Sequence, residues 1–269
     1  MESFNIKIAV IGASGKMGCA IIKGLSQTTD MEIVGAIDLQ NIGKDAGELA
    51  GIPSLGVQVS DNLEQVLLEK KPDVVIDFTH KKAAQVNIPV VLKKGIAVVA
   101  GTTGLEEGDL AEFDCLAKEN STSMFLAPNY SLGAVLMMKF AREAGAYFEQ
   151  GEIIEYHNDK KIDSPSGTAI ATARGISNNF SVPDANEQYS VASCCRGGDF
   201  GGIRIHSVRL KSLVAHQEVL FAGTGELLTI RHDSYSRESF LPGILMAVRK
   251  VQLWIGLKVG LDEILEIEI

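Results

Sequence analysis

The stretch IKIAVIGASGKMG, residues 6–18, places an apolar run directly before three glycines, Gly12, Gly15 and Gly18. A run apolar at nearly every position reads as a strand buried on both faces, as in a parallel sheet covered by helices. The pattern that follows, over 16–26, is helical. In such a strand–loop–helix unit Gly12 permits a tight turn, and Gly15 lets backbone N–H groups approach a pyrophosphate at the positive helix end. Gly18 lets the helix pack closely on the sheet. Glycine spacing alone is a weak signal, but Asp38 agrees with it. It closes the next apolar run, EIVGAID (32–38), twenty residues beyond Gly18, where an acid accepts hydrogen bonds from the adenosine ribose 2′-OH. Asp38 also repels a 2′-phosphate; Lys16 attracts one, and Leu39 offers no cation. The expectation is a nicotinamide dinucleotide, NADH and/or NADPH, with NADH used at least as well.

Outward from this unit, DVVIDF (73–78) and IAVVAGTTG (96–104) read as further buried strands. NLEQVLLEK (62–70) and KAAQVNIPVVLKKG (82–95) read as helices between them. Strands interleaved with helices predict a doubly wound α/β domain over roughly residues 1–127. From about 128 the texture changes. YSLGAVLMMKFAREAGAYF (130–148) and TAIATARGIS (168–177) are helix patterns, and GEIIEYHND (151–159) begins as a strand. IRIHSVRLKS (203–212), HQEVLFAG (216–223) and LLTIRHDS (227–234) alternate by two, as antiparallel strands with one polar face do. RESFLPGILMAVRKVQLWI (237–255) predicts one amphipathic helix. The fold class expected is therefore α/β, an N-terminal doubly wound (Rossmann) parallel sheet joined by a short connection at 127–130 to an α+β domain with a mostly antiparallel sheet.

Composition excludes several classes. The chain has 269 residues, 46% hydrophobic, with a formal net charge of −9, so a basic nucleic-acid surface is not expected. No apolar run approaches the ~20 residues of a membrane helix, and the N-terminus lacks the pattern of a signal peptide. Cys19, Cys115, Cys194 and Cys195 show no C-x-x-C spacing and read as reduced thiols of a cytoplasmic protein.

Two further stretches carry candidate chemistry. Gly101, Thr102, Thr103 and Gly104 end a parallel strand, and Phe78 and Thr79 end its neighbour; ligands bind beyond such strand ends. His80 reads equally well as part of an ordinary strand-to-helix turn. The second stretch is EYHNDKKIDSPSGTA (155–169). His157 is the natural acid/base group. Lys161, four residues on, offers a cation for a carboxylate or a proton for developing negative charge, and at helical pitch both face one pocket. Ser166, Gly167 and Thr168 open the next helix after Pro165, and their N–H groups and hydroxyls form an anion site. Asp163 is expected to orient the turn or neutralise a lysine. Taken alone, the stretch reads equally as a solvated loop followed by an ordinary Ser or Thr N-cap. One histidine among lysines is a poor metal ligand set, so no metal is expected. His206, His216 and His232 are read as sheet-face or interface residues, and Arg209, Arg231 and Arg237 as a cluster near the substrate mouth.

Taken together, Gly12-x-x-Gly15-x-Met17-Gly18, GTTG at 101–104, APNYSLG at 127–133 and H-x-x-x-K-x-D-x-PSGTA at 157–169 resemble the dihydrodipicolinate reductase family. HSVRL, VAHQEVLF, LTIRHDS and R-x-SF-x-PG extend the resemblance over nearly the whole chain. The resemblance implies NAD(P)H-dependent reduction of 4-hydroxy-tetrahydrodipicolinate to tetrahydrodipicolinate with loss of water, in lysine and diaminopimelate biosynthesis. It implies His157 as the acid/base residue and Lys161 as the proton donor, with Gly167 and Thr168 on a substrate carboxylate. It implies a cofactor site made of Gly12, Ala13, Ser14, Gly15, Lys16, Met17, Asp38, Gly101, Thr102, Thr103, Ala127, Pro128, Asn129 and Tyr130. It further implies a cytoplasmic homotetramer built through the second sheet, and a final segment returning to the first domain. The domains are then 1–127 with 238–269, and 128–237. The family usually carries a second histidine after the first; here the position is Asn158, which donates a hydrogen bond to a carboxylate but carries no positive charge. A semialdehyde or amino-acid dehydrogenase, and a dinucleotide sensor without chemistry, are the rival readings; the PSGTA turn opposes the first, and His157 with Lys161 the second.

Overall fold

The computed structural model describes residues 5–176, 180 and 195–265. Cys194 lies outside the described residues. The chain divides into two compact units, Met1–Tyr130 with Phe240–Ile269, and Ser131–Ser239.

The first unit is built on seven parallel strands. They are β1 (Ile6–Ile11), β2 (Met31–Ile37), β3 (Val59–Ser60), β4 (Val74–Asp77), β5 (Ala97–Ala100), β6 (Ser123–Leu126) and β12 (Gly256–Val259). Their order is β12-β6-β5-β4-β1-β2-β3. The order reverses between β1 and β4, and the crevice beyond their carboxyl ends is where such sheets take ligands. Helices α1 (Lys16–Leu25), α2 (Ala46–Leu49), α3 (Leu63–Lys70), α4 (Lys81–Leu92) and α5 (Glu107–Glu119) connect the strands. Ile8, Val10, Val74, Ile76, Val98 and Val99 are completely buried, which is why these strands read as unbroken apolar runs. The strand expected over 96–104 stops at Ala100. Gly104 turns with φ +80°, so the GTTG segment is a loop.

The helix expected over 237–255 is three pieces: a 3-10 turn at Arg237–Phe240, α8 (Leu241–Lys250) and a 3-10 turn at Val251–Leu253. Pro242 has no N–H to give to a preceding turn, so it suits the start of a helix and not its interior. Trp254 is extended, with φ −141° and ψ 175°, and its ring lies 6.2 Å from Phe125. The chain then continues as β12 beside β6. Gly243 permits α8 to pass close by: a Cβ there would fall 2.1 Å from the Tyr130 carbonyl oxygen.

The second unit holds a five-stranded sheet in the order β11-β10-β7-β9-β8. The strands are β7 (Gln150–His157), β8 (Gly198–Phe200), β9 (Ile203–Arg209), β10 (Ala215–Gly223) and β11 (Glu226–Ser234). Among the described residues β7 and β9 pair in parallel, and the other three pairs are antiparallel. Helices α6 (Leu132–Gly145) and α7 (Gly167–Ile176) close one core around Met137, Ala141, Ile153, Ala173, Ile205, Val219 and Phe221. Alternation puts Ile153, Glu155 and His157 on that helix-packed face.

Candidate active site

In the first unit, the loop after β1 prepares a helix end for an anion. Gly12 and Ala13 donate their N–H groups to Ile37 O at 2.8 and 3.2 Å, and Gly15 donates to Gly12 O at 3.0 Å. Ser14 N–H is taken by Asp38 Oδ2 at 2.9 Å. The first bond inside α1 runs from Cys19 N–H to Gly15 O at 2.9 Å, so the amides of Lys16, Met17 and Gly18 precede it. No side chain caps α1 and no acid lies in its first turn, which leaves the positive helix end open to a phosphate. The approach requires glycine at 18, where a Cβ would lie 2.1 Å from Gly12 O. Asp38 also accepts Gln40 N–H on Oδ1 at 3.0 Å; its further lone pairs suit ribose hydroxyls. Leu39 beside it is 83% exposed and supplies no charge. These residues fit a dinucleotide.

The neighbouring strand ends form a braced floor. A Cβ on Gly101 would fall 2.2 Å from the Phe78 ring. Thr102, buried, donates its hydroxyl to Thr79 O at 3.0 Å. Thr79 in turn donates its hydroxyl and N–H to Asp77 Oδ1 at 2.6 and 2.9 Å. Burial pushes the Asp77 carboxyl up against the pull of Thr79 and Asn87. Tyr130 is buried, donates to Ala100 O at 2.7 Å and holds its ring 5.3 Å from Phe78; burial pushes its phenol well above the usual range. Ala127 donates its N–H to Ala100 O at 3.2 Å. Ala127, Thr102 and Tyr130 therefore shape the floor from below. Thr103 and Pro128 are exposed and Asn129 is half-buried. His80 is the N-cap of α4, where Nδ1 accepts Ala83 N–H at 3.3 Å.

In the second unit, His157 ends β7 and the chain leaves in a turn rather than at helical pitch. Asn158 shapes that turn: its Oδ1 accepts Lys160 N–H at 3.1 Å and its carbonyl accepts Lys161 N–H at 3.0 Å. This Asx-type turn commits Oδ1 to the backbone and leaves the Nδ2 group as the donor. Lys161 Nζ binds Asp163 Oδ1 at 2.8 Å, and that bond lowers the Asp163 carboxyl below its ordinary value. Ser166 has its backbone N–H engaged, contrary to the expectation of a free amide, while its hydroxyl keeps a hydrogen to donate. Its N–H points to Glu155 Oε1 at 3.3 Å, because that buried carboxylate needs donors, and its Oγ accepts Ala169 N–H at 3.2 Å. Ser166 is thus an N-cap. The amides left before the first bond of α7, Ile170 N–H to Ser166 O at 3.0 Å, are those of Gly167 and Thr168.

The sequence reading missed the centre of this cluster, Glu155. Its side chain is 0% exposed. It bonds His157 Nδ1 and receives Arg209 through two nitrogens, at 2.7 and 2.8 Å. Arg209 also donates to Asp163 O at 2.9 Å. Burial pushes the Glu155 carboxyl up, but the bonds from His157, Arg209 and Ser207 overcome it and hold it at about 2. The available signal was alternation: in EYH the acid shares the apolar-packed face with His157, and a glutamate on such a face needs a cation. The expected arginine cluster divides. Arg209 faces α7, whereas Arg231 lies on the opposite face with Asp233, Glu218 and Tyr156; one step along a strand reverses the face. His206 pairs with Glu152 at 2.7 Å and His216 with Asp233 at 2.8 Å on that same opposite face. His232 bonds Ser131 Oγ at 3.1 Å, and burial holds its imidazole below the ordinary value.

Among the described residues no helix is long and apolar enough to cross a membrane, and no group of three or more His, Cys, Asp or Glu is placed to hold a metal.

Residues 6–130 match the family profile described as dihydrodipicolinate reductase, N-terminus, and residues 133–265 its C-terminus counterpart. A protein of Carboxydothermus hydrogenoformans named 4-hydroxy-tetrahydrodipicolinate reductase is 46% identical over 260 residues, covering 96% of this chain and 99% of its own. One of the same name from Moorella thermoacetica is 45% identical, covering 97% and 98%. The structure of dipicolinate-bound dihydrodipicolinate reductase from Paenisporosarcina sp. TG-14 superposes with a TM-score of 0.86 at 39% identity, covering 97% of this chain and all of that one. An amine dehydrogenase from Mycobacterium smegmatis, at 16% identity and a TM-score of 0.68, shares the fold alone. With a glycine loop fitted to a dinucleotide, the PSGTA helix start and both halves of its length matched, the chain belongs to the dihydrodipicolinate reductase family and is an oxidoreductase that uses a nicotinamide cofactor.

Proposed function

We propose that this chain reduces 4-hydroxy-tetrahydrodipicolinate to tetrahydrodipicolinate with loss of water, in lysine and diaminopimelate biosynthesis. The single observation that carries this reading at the level of residues is His157, locked through Nδ1 to a buried carboxylate in the same stretch as Lys161 and the open start of α7. The bound reduced nicotinamide supplies the hydride. Gly12, Ala13, Ser14, Gly15, Lys16 and Met17 cradle its pyrophosphate, mainly through the amides of Lys16 and Met17, and Asp38 takes the adenosine ribose. Gly101, Thr102, Thr103 and Ala127 to Tyr130 border the rest of the cofactor. A dicarboxylate is held by the amides of Gly167 and Thr168, the Ser166 hydroxyl and Asn158 Nδ2. In the net reaction a hydride takes the place of the substrate hydroxyl, and a proton leaves with that hydroxyl as water. His157 exchanges a proton at Nε2, which has no hydrogen-bond partner among the described residues, and Lys161 donates one.

Asp38 with uncharged Leu39 favours use of NADH at least as well as NADPH. The sheet face opposite α6 and α7, with Leu227 63% exposed on edge strand β11, is read as the surface that builds a cytoplasmic homotetramer. The test is a coupled assay that generates the unstable substrate in situ and follows NADH absorbance. Loss of NADH that requires both this chain and the substrate generator supports the proposal; no loss above background contradicts it. Light scattering at four chain masses supports the tetramer, and a monomer refutes it.

A further inference from the structure

We propose that Glu155, clamped by Arg209, is the positioning residue that fixes His157 as its Nδ1–H tautomer and ties the imidazole to both the Lys161 turn and the start of α7. The inference rests on His157 being the acid/base group. It starts from the donors gathered around one buried carboxylate. An ionised carboxylate offers about four lone-pair sites. Here they meet two Arg209 nitrogens, the Ser166 N–H and His157 Nδ1, with the Ser207 side chain as a further donor. Arg209 is the cross-strand partner of His157, and Ser207 that of Glu155, so register alone delivers the clamp. The carboxyl stays ionised because its donors outweigh burial. It is then an acceptor only, and the neutral imidazole must present its proton on Nδ1, leaving Nε2 as the exchanging atom.

The same carboxylate joins three pieces of backbone. Through His157 it holds the end of β7; through Ser166 N–H at 3.3 Å it holds the helix start. Through Arg209, which reaches Asp163 O at 2.9 Å, it holds the turn whose Asp163 side chain anchors Lys161. A buried ion pair is weak ground for stability, since apolar groups of equal volume do as well or better. Setting the geometry of three functional groups is a better account of it.

The experiment compares wild type, Glu155→Gln, Glu155→Asp, His157→Gln and the Glu155→Gln/His157→Gln double variant, as full-length protein. Glu155→Gln is expected to lower kcat by roughly 10- to 100-fold and to raise KM for the dicarboxylate through the Lys161 turn and the α7 start, with NADH affinity unchanged, and Glu155→Asp to restore part of the rate. In the His157→Gln background Glu155→Gln is expected to cost only the smaller part of that loss, the part that acts through the Lys161 turn and the start of α7; an undiminished loss there overturns the proposal. Unchanged turnover in His157→Gln itself instead refutes the assignment of His157. If Glu155→Gln does not fold, ¹⁵N NMR of wild-type imidazoles still decides, with His157 assigned from the signal missing in His157→Gln. Protonated Nδ1 and unprotonated Nε2 in the neutral ring support the proposal, and the reverse tautomer overturns it.

Discussion

The two units build their candidate sites largely from different materials. The first uses main chain: a helix end without a cap, a glycine that admits a carbonyl, and one acid at a strand end. The second sets two main-chain amides, those of Gly167 and Thr168, beside a cluster of side chains, Glu155, Arg209 and His157, each meaningful only beside the others. Main-chain sites depend on what is missing, since the critical feature at Gly18 or Gly101 is the lack of a Cβ. Side-chain sites depend on what is paired, since an unpartnered buried charge is costly. Damage to the first should therefore weaken cofactor binding, and damage to the second should slow turnover while cofactor binding persists.

The sharpest way to break this contrast is His157→Gln, expected to lower kcat by about 10²- to 10⁴-fold with NADH affinity unchanged in a fluorescence titration. Next in size is a stability effect. Glu155→Gln leaves the Arg209 cation without its counter-charge and should cost about 3 kcal/mol at pH 7 in urea unfolding. The folded carboxyl sits at about 2, against an ordinary value of 4.5. Its contribution is therefore complete above pH 4.5 and lost as pH falls towards 2, and the gap between wild type and variant should close across that window. Gly18→Ala, whose methyl would meet Gly12 O at 2.1 Å, should weaken NADH binding by at least about tenfold, the equivalent of roughly 1.4 kcal/mol of strain, while the unfolding of the second unit is unaffected. Lys161→Ala should raise KM for the dicarboxylate by roughly tenfold. Smallest of all, Asp38→Asn should move the NADPH-to-NADH preference by a few-fold towards NADPH, by removing repulsion of a 2′-phosphate.

The same contrast explains what was legible in the sequence. Strands β1, β4 and β5 were plain because their residues are buried on both faces. The glycine loop was plain because turn, close approach and helix packing each demand glycine at a fixed offset. His157, Lys161 and the PSGTA start were visible as a charged stretch ending in an N-cap pattern. Glu155 was not, because its partner Arg209 is 54 positions away and meets it only through the parallel register of β7 and β9. The helix expected over 237–255 failed locally: amphipathic periodicity continued through Pro242 and towards Trp254, but an imino nitrogen and an extended residue interrupted it. Short elements such as β3 and α2 carry too few residues for a period to show.

The most direct test follows NADH absorbance in the coupled assay with wild type and His157→Gln side by side, each shown to bind NADH equally. The account predicts oxidation that depends on the substrate generator in wild type, reduced by about two orders of magnitude or more in the variant. Equal rates in the two proteins, or no substrate-dependent oxidation in wild type, would contradict it.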